Sequence, residues 1–207
     1  MESPGNWTIS NNCTLPSRAS TSMTVLGRYI LSTGSSSVQI ERFDGNSWTT
    51  LNNNLTKQRD QTCSVAISDT EMILLGGYNG WRMSLVEKYD VNGNLVETLP
   101  KMNKARSSPG CAIFKNELYA VGGWNNGLLS DIEVFNMETK IWRKINNMIE
   151  AVSGPGVHVY KYQMIVFGGK AKQVFDGKNW KYADNSIENI LEHGVSVPVQ
   201  CPIFYPV

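Results

Sequence analysis

A diglycine recurs through this sequence at a fixed interval, and each time it directly follows a short apolar run. Gly76-Gly77, Gly122-Gly123 and Gly168-Gly169 are spaced 46 residues apart both times. An eroded earlier copy, Thr33-Gly34, follows residues 29–31. A period of about 20–50 residues is typical of repeat architectures, in which each unit buries its faces against its neighbours. The sequence therefore predicts an array of similar units.

A second pattern follows each diglycine and keeps step with it. It consists of an acid or amide, one further residue, an aromatic residue and then Asp or Asn, at residues 41–44, 87–90, 133–136 and 173–176. A tryptophan follows three of the copies, and Val96 stands at its position in the second copy; these tryptophans are Trp48, Trp142 and Trp180. Short apolar runs separated by polar turns predict four short strands in each copy. Four strands in a unit of about 50 residues are typical of propeller blades.

These features together resemble kelch repeats, which have a diglycine closing the second strand, an aromatic residue in the third and a tryptophan in the fourth. The resemblance covers nearly the whole chain and implies an all-β fold, a kelch-type β-propeller with four recognisable four-stranded blades plus terminal strands. The departures are the lost diglycine of the first copy, Val96 in the second, and a shortened fourth copy. We expect those blades to be less regular but present.

The repeats divide the chain into one predicted propeller domain over residues 1–207. The blades are predicted at about 22–48, 62–96, 108–142 and 155–180, with residues 1–18 and 195–207 as terminal strands. Trp7 precedes Arg18 much as Trp48 precedes Arg59, so the start of the chain resembles the end of a blade. Kelch propellers usually have roughly six or seven blades. The chain either closes as a partial, five-blade-like ring with a composite last blade or is a fragment with an open edge, and the sequence leaves both open.

The charge balance and hydropathy exclude several classes of partner. The net charge is +1, so nothing global favours nucleic acid or an anionic membrane. No apolar run reaches the length of about 18 residues that a transmembrane helix needs. The first ten residues have neither the basic region nor the apolar core of a signal peptide. We therefore expect a cytoplasmic location, or a secreted one if a signal peptide precedes this sequence, and leave the oligomeric state open.

Four cysteines are present, Cys13, Cys63, Cys111 and Cys201, and their spacing suits no zinc site. Cys63 and Cys111 occupy the same register of consecutive repeats. Equivalent positions in neighbouring blades are expected to lie beyond disulfide reach, so both are predicted to be small buried residues on first strands. A bridge between Cys13 and Cys201 requires the ring to close and is left open.

The sequence carries no enzyme signature. Its two histidines, His158 and His193, are predicted to be packed or surface side chains, because a metal site needs three or four converging ligands. A copper oxidase with kelch-like blades is known, but this chain has few histidines for such a site. The recurring Glu87 and Glu133 are predicted to be framework charges on a strand surface. We therefore expect no enzyme activity, no cofactor and no metal.

Binding is the function that the resemblance favours. In kelch domains that bind peptides, the loop after the diglycine and the connection between blades supply the contacts. Tryptophan, tyrosine and arginine also dominate binding hot spots. Carried over by position, the partner-binding candidates are Tyr78, Asn79, Trp81, Arg59, Arg106, Ser107, Ser108, Trp124, Asn125, Ser153 and Lys170, with Arg18 and Asn126 at related positions. For the repeated arginines, structural pairing with the carboxylate of a neighbouring blade is the open alternative.

The predicted function is protein–protein interaction, with a partner segment bound on the loop face of the propeller. The resemblance is strongest to the kelch domains of adaptors that present substrates to cullin-type ubiquitin ligases. Those adaptors also carry BTB and BACK domains, so this role is implied only for a longer parent protein. One alternative is a secreted or extracellular kelch module that binds protein or glycan, which a glycan on Asn6 or Asn12 would favour. Another is a propeller enzyme of the copper-oxidase type.

Overall fold

A computed structural model describes residues 21–35 and 37–183, and it contains four antiparallel sheets of four strands each. Each sheet is a meander in which the strands pair in chain order. The first sheet comprises β1 (Thr21–Leu26), β2 (Tyr29–Gly34), β3 (Gln39–Phe43) and β4 (Trp48–Asn54). The second comprises β5 (Cys63–Ala66), β6 (Glu71–Leu75), β7 (Val86–Asp90) and β8 (Leu95–Leu99).

The other two sheets repeat this order. The third sheet comprises β9 (Gly110–Phe114), β10 (Glu117–Val121), β11 (Ile132–Asn136) and β12 (Ile141–Lys144). The fourth comprises β13 (Gly156–Tyr160), β14 (Gln163–Phe167), β15 (Gln173–Phe175) and β16 (Trp180–Tyr182). The all-β class and the four-stranded units confirm the predicted fold class. The predicted terminal strands at 1–18 and 195–207 lie outside the described residues, as do Arg18, His193, Cys13 and Cys201.

The sheets lie side by side in chain order. The first strands β1, β5, β9 and β13 contact one another in turn. Because side chains alternate across a strand, each of the two middle sheets buries one face against the sheet before it and the other against the sheet after it. In β6, for example, Met72 and Leu74 pack towards the first sheet, whereas Ile73 and Leu75 pack towards the third. This stacking of successive sheets, with their first strands adjacent, is consistent with the arrangement of propeller blades.

An aromatic pair joins the third and fourth strands of three sheets. The ring centroids of Phe135 and Trp142 lie 5.0 Å apart, and equivalent pairs occur in the first and fourth sheets. In the second sheet Tyr89 pairs instead with Leu95, and the register shifts between Lys88 and Tyr89. The sheet that lost its tryptophan is therefore present but irregular. The first sheet also shifts register, within β3.

The recurring Asp or Asn after the aromatic residue closes the turn between the third and fourth strands. Its side-chain oxygen accepts two backbone N–H groups from the following residues, as expected for an Asx turn. Asp44 accepts from the N–H groups of Asn46 and Ser47, each at 2.9 Å. Asn136 and Asp176 make the same contacts in the later sheets, and Asp90 accepts from the N–H groups of Asn92 and Asn94.

The diglycines lie where the connection to the next sheet passes close to the backbone. A Cβ on Gly76 would meet the carbonyl oxygen of Arg106 at 2.7 Å, and one on Gly122 would meet that of Val152 at 2.5 Å. Both glycines also have positive φ, of +67° and +57° respectively. Only glycine accommodates this conformation at this distance without strain.

Cys63 and Cys111 form a disulfide with a Cα–Cα distance of 5.9 Å. The prediction that equivalent positions lie beyond bonding distance is therefore wrong. The cysteines lie on β5 and β9, which are adjacent in space because the first strands of successive sheets converge. The bridge ties the second sheet covalently to the third.

Candidate functional site

The sequence predicts Arg59 and Arg106 at a partner-binding surface, but the structure buries both side chains completely. Arg59 Nη2 lies 2.6 Å from Glu87 Oε2, and Arg106 Nη2 lies 2.7 Å from Glu133 Oε1. Burial lowers the pKa of both guanidinium groups, and the adjacent carboxylates partly oppose this. Both arginines therefore belong to the framework, each paired with a carboxylate of the sheet that follows it in the chain.

The same contacts correct the expectation that Glu87 and Glu133 are surface charges, because both are almost fully buried. Glu87 also accepts hydrogen bonds from the hydroxyl groups of Tyr89 and Thr56. Burial raises the pKa of Tyr89 to about 12. A buried carboxylate needs several donors to offset its lost hydration, and this network supplies them.

Each arginine also fixes the loop after the diglycine. Arg106 Nη1 donates to the carbonyl oxygens of Gly122 at 2.8 Å and Asp131 at 3.1 Å, at the two ends of the loop in the third sheet. Arg59 Nη1 donates likewise to Gly76 at 3.4 Å and Leu85 at 3.2 Å in the second sheet. The loop bases are thus held from beneath, which presents the loop tips in defined positions.

Backbone pairing fixes the loops from the side. Asp60 and Tyr78 exchange two N–H···O=C bonds of 3.0 and 2.9 Å, and Tyr78 also forms a bridge to Arg82. Ser107 and Trp124 make the same exchange in the next repeat, at 3.1 and 2.8 Å. Each loop is therefore a narrow hairpin that pairs with the connection preceding its own sheet.

The three described connections between sheets are also bonded to each other. Ser108 donates its N–H to the carbonyl of Gln61 at 2.7 Å and accepts the N–H of Gly154 at 2.8 Å. Ser108 adopts a φ of 47°. The connections before the second, third and fourth sheets are thereby joined into one continuous backbone layer.

A cleft of about 440 Å³ lies over this layer. This is a volume typical of ligand pockets. Three connections and the loops of the second and third sheets contribute its lining, which consists of Gln61, Tyr78, Arg82, Ser107, Ser108, Trp124, Leu128 and Ser153. Trp124 is 38% exposed and Leu128 is 54% exposed, so an apolar surface is presented beside serine, glutamine and arginine side chains.

Five of the predicted partner-binding residues line this cleft, and the structure brings them together from four segments of the chain. They are Tyr78, Ser107, Ser108, Trp124 and Ser153. Asn79, Trp81 and Asn125 lie in the same loops outside the lining, and Trp81 is 82% exposed. Lys170 is exposed in the corresponding loop of the fourth sheet, where its N–H donates to Glu150. Contact of all these residues with a partner stays a prediction.

The sequence reasoning missed Gln61, Arg82 and Leu128 as lining residues. Arg82 follows Tyr78 by the same interval as Leu128 follows Trp124, and each pair forms an equivalent bridge. The internal repeat therefore contained the signal for two of the three. Gln61 lies in a connection that has one residue fewer than the next between its arginine and cysteine, which obscures the alignment.

Arg82 is the cation of the cleft. Its Nη1 lies 3.4 Å from Asn126 Oδ1, and its Cζ lies 5.6 Å from the ring centroid of Tyr78. Its Nε is buried without a hydrogen-bond acceptor, and within residues 21–35 and 37–183 no carboxylate forms an ion pair with it. Burial also raises the pKa of Asp60, whose backbone pairs with Tyr78, so that carboxylate is less readily ionised.

Among the described residues no group of three or more His, Cys, Asp or Glu side chains is placed to hold a metal ion. His158 lies on β13 outside the cleft lining, and burial lowers its pKa. The described part of the chain also contains no helix long and apolar enough to span a membrane.

Comparison with known proteins identifies one repeat directly. No curated protein matches the chain. The family model of the kelch motif matches residues 105–149, which include Arg106, the second diglycine and Trp142. The matched segment is the third sheet with its flanking connections, and the other three sheets share its meander topology. The chain thus carries a kelch motif, and its four four-stranded antiparallel sheets are consistent with the blades of a kelch-type propeller.

Proposed function

We propose that this protein is an interaction module that binds an extended segment of a partner protein in the cleft. A kelch repeat itself suggests a protein–protein interaction module. The observation that carries the more specific proposal is the convergence of three connections and two loops on one partly apolar cleft.

The construction of the cleft supports this role. Buried arginines hold the loop bases, and backbone pairing holds the loops against the connections. A preorganised site loses less conformational entropy when a partner binds. Trp124 supplies a large apolar surface in a setting that has few apolar neighbours to cover it. We therefore assign Trp124 as the central contact.

The test is affinity capture from cell lysate with quantitative mass spectrometry, using the wild-type chain and two matched variants. Trp124→Ala removes the aromatic surface in the cleft. Tyr162→Ala removes a side chain that is 83% exposed in the turn between β13 and β14, away from the cleft lining. The wild type and Tyr162→Ala are expected to retain the same few proteins, and Trp124→Ala is expected to lose them.

Thermal unfolding of all three proteins provides the control. Trp124 lies in a loop, so its removal is expected to leave the midpoint nearly unchanged. A variant of Arg106 cannot test partner binding in this experiment, because its replacement breaks the buried ion pair with Glu133 and so changes stability. The assignment of the cleft would be overturned if Trp124→Ala and the wild type retain the same proteins, or if neither retains any protein.

Within this function, we propose substrate recognition for a cullin-type ubiquitin ligase as the role in a longer, cytoplasmic parent protein. The support is the resemblance of the repeats to adaptor kelch domains. Co-purification of a cullin with the parent protein tests it. If the parent protein retains the captured partner but no cullin, the ligase role is refuted and partner binding is not.

The disulfide supports a second candidate, a secreted or extracellular kelch module. Disulfides persist in oxidising compartments and are rare in the cytosol. Cys63 and Cys111 are bonded here and both are buried. Alkylation of free thiols during native extraction, followed by mass spectrometry, distinguishes the candidates: a bridged pair favours secretion, and an alkylated pair favours the cytoplasm.

A further inference from the structure

We propose that the cleft selects a partner segment with an acidic side chain beside an apolar one. Arg82 binds the carboxylate, and Trp124 with Leu128 holds the apolar group. This inference rests on the proposed function and specifies the chemistry of its ligand.

The two loops that line the cleft have the same backbone and opposite chemistry. Tyr78 bridges to Arg82 in the loop of the second sheet, and Trp124 bridges to Leu128 in that of the third. All four side chains line the cleft. One loop therefore presents an aromatic ring with a cation, and the next presents an aromatic ring with an aliphatic group. A ligand that spans both loops meets a charged region and an apolar region in succession.

The charged region lacks an anion of its own. Arg59 and Arg106 pair with buried glutamates, and Arg143 pairs with Glu117 at 2.7 Å. Arg82 has the contact with Asn126 Oδ1 at 3.4 Å and the ring of Tyr78, with no carboxylate partner in the described residues. Guanidinium groups bind carboxylates with two parallel hydrogen bonds, which neutral acceptors do not reproduce. A carboxylate from the ligand would therefore complete this site.

The apolar region is similarly incomplete. Leu128 is 54% exposed and Trp124 is 38% exposed, although backbone hydrogen bonds from Trp124 to Ser107 and from Leu129 to Gly123 hold the loop in place. Gln61, Ser107, Ser108 and Ser153 provide neutral hydrogen-bonding groups around them. An aliphatic or aromatic side chain covers the exposed surface, and the polar groups are available to orient the peptide backbone that carries it.

The test uses a library of random heptapeptides, acetylated at one end and amidated at the other so that every carboxylate comes from a side chain. The folded full chain is used to select binders. Two variants exchange the chemistry of the equivalent positions: Arg82→Leu gives the second loop an aliphatic group, and Leu128→Arg gives the third loop a cation.

We expect the wild type to enrich peptides that carry both Asp or Glu and an apolar residue. Arg82→Leu is expected to lose the acidic preference and keep the apolar one, whereas Leu128→Arg, which retains Trp124, is expected to weaken the apolar preference and keep the acidic one. In a selected peptide, Glu→Gln is expected to weaken binding to the wild type about tenfold, since a charged hydrogen bond is lost. The same change is expected to alter binding to Arg82→Leu less than about twofold.

A second variant of this position, Arg82→Gln, protects the result against a folding defect, because it keeps an unbranched side chain with N–H donors and removes the charge. Thermal unfolding verifies each variant. Equal enrichment of Glu and Gln by the wild type, or an acidic preference that survives in both Arg82 variants, would overturn the proposal.

Trp124→Ala separates this inference from the proposed function. Peptide binding that depends on Trp124 but shows no acidic preference refutes the acidic ligand and leaves the interaction module standing. Absence of peptide binding, or binding that Trp124→Ala does not affect, refutes both. Selection only of peptides with a free carboxyl terminus, in a parallel library without the amide, would assign Arg82 to chain ends instead of side chains and also overturn the proposal.

Discussion

The third and fourth sheets have the same four strands, but they differ in the buried polar residues that link the third strand to the connection preceding the sheet. In the third sheet Arg106 forms a buried ion pair with Glu133. In the fourth, Val152 replaces the arginine and Gln173 replaces the glutamate. The backbone shows that these positions correspond: Arg106 and Val152 each accept an N–H from the second glycine of the preceding sheet, Gly77 and Gly123 respectively.

The fourth sheet keeps its buried amide satisfied without any charge. Gln173 Oε1 accepts the N–H of Glu150 at 2.9 Å, and its Nε2 donates to the carbonyl of the same residue at 3.3 Å. A buried carboxylate needs a cation, whereas an amide can satisfy both of its functions on one backbone unit. The fourth sheet therefore lacks both the arginine and the buried carboxylate, so neither charge is left without its partner.

The largest expected effect comes from imposing half of that change on the third sheet. Arg106→Val leaves Glu133 buried without its cation and is expected to cost about 4–5 kcal/mol of unfolding free energy. Arg106→Val with Glu133→Gln copies the fourth sheet and is expected to recover most of this loss. Chemical denaturation of the two single variants and the double variant measures the coupling. Additive losses would show that the charge pair is not what distinguishes the sheets.

The tryptophans of the two sheets provide the next test. Trp142 is 8% exposed, and its Nε1 donates to the carbonyl of Pro100 in the preceding repeat at 2.7 Å. Trp142→Ala is expected to cost about 3–5 kcal/mol. Trp180 is less buried and its Nε1 has no acceptor among the described residues. Trp180→Ala is expected to cost roughly half as much. Equal losses in thermal unfolding would mean that the fourth sheet is anchored as firmly as the third.

The disulfide distinguishes the junction between the second and third sheets from that between the third and fourth. Val157 occupies the place of Cys111 in the fourth sheet. The bridge closes a loop with a sequence separation of 48 residues, and its removal by Cys63→Ala with Cys111→Val is expected to cost roughly 2–4 kcal/mol. Unfolding of wild type and variant with and without reductant measures this. A wild type insensitive to reductant would contradict the expected stabilisation.

The smallest expected effect is a pH dependence confined to the fourth sheet. Burial lowers the pKa of His158 below its ordinary value of 6.5, so the unfolded chain takes up this proton before the folded chain does. The contribution of neutral His158 to stability is fully present above pH 6.5, and it is lost as the pH falls from 6.5 towards the lower pKa of the folded chain. The third sheet has Ala112 at this position. His158→Ala is expected to reduce the drop in melting temperature between pH 7.5 and pH 5; an unchanged drop would exclude His158 as its source.

The elements that repeat within the chain were predictable because several copies constrain one another. The diglycines, the recurring Asp44 and its equivalents, and the aromatic residues such as Phe135 and Trp142 were all found as one repeated pattern, and the structure gives each its role. The burial of the Arg106 side chain was not predictable, because Arg106 lies in a connection, where no strand periodicity indicates whether a side chain points inward or outward. The bond between Cys63 and Cys111 depends on the distance between neighbouring sheets, which no pattern within one copy encodes.

The candidate site likewise contains residues that the sequence predicted and residues that it did not. Tyr78 and Trp124 were found because they follow a diglycine, and Ser107 and Ser108 because they lie in a connection. Arg82 and Leu128 were missed because their chemistry differs although their position is shared. Comparison of equivalent positions, rather than of similar residues, would have revealed both.

The continuous layer of connections beneath the cleft has a consequence for how specificity can change. Ser108 uses both its N–H and its carbonyl on the neighbouring connections, so neither is free to pair with a ligand strand. Recognition at this point depends on side chains alone. A new preference can then arise from substitutions at the loop tips while the backbone beneath them remains in place, which makes the surface a scaffold on which binding can diverge or be redesigned without rebuilding the fold.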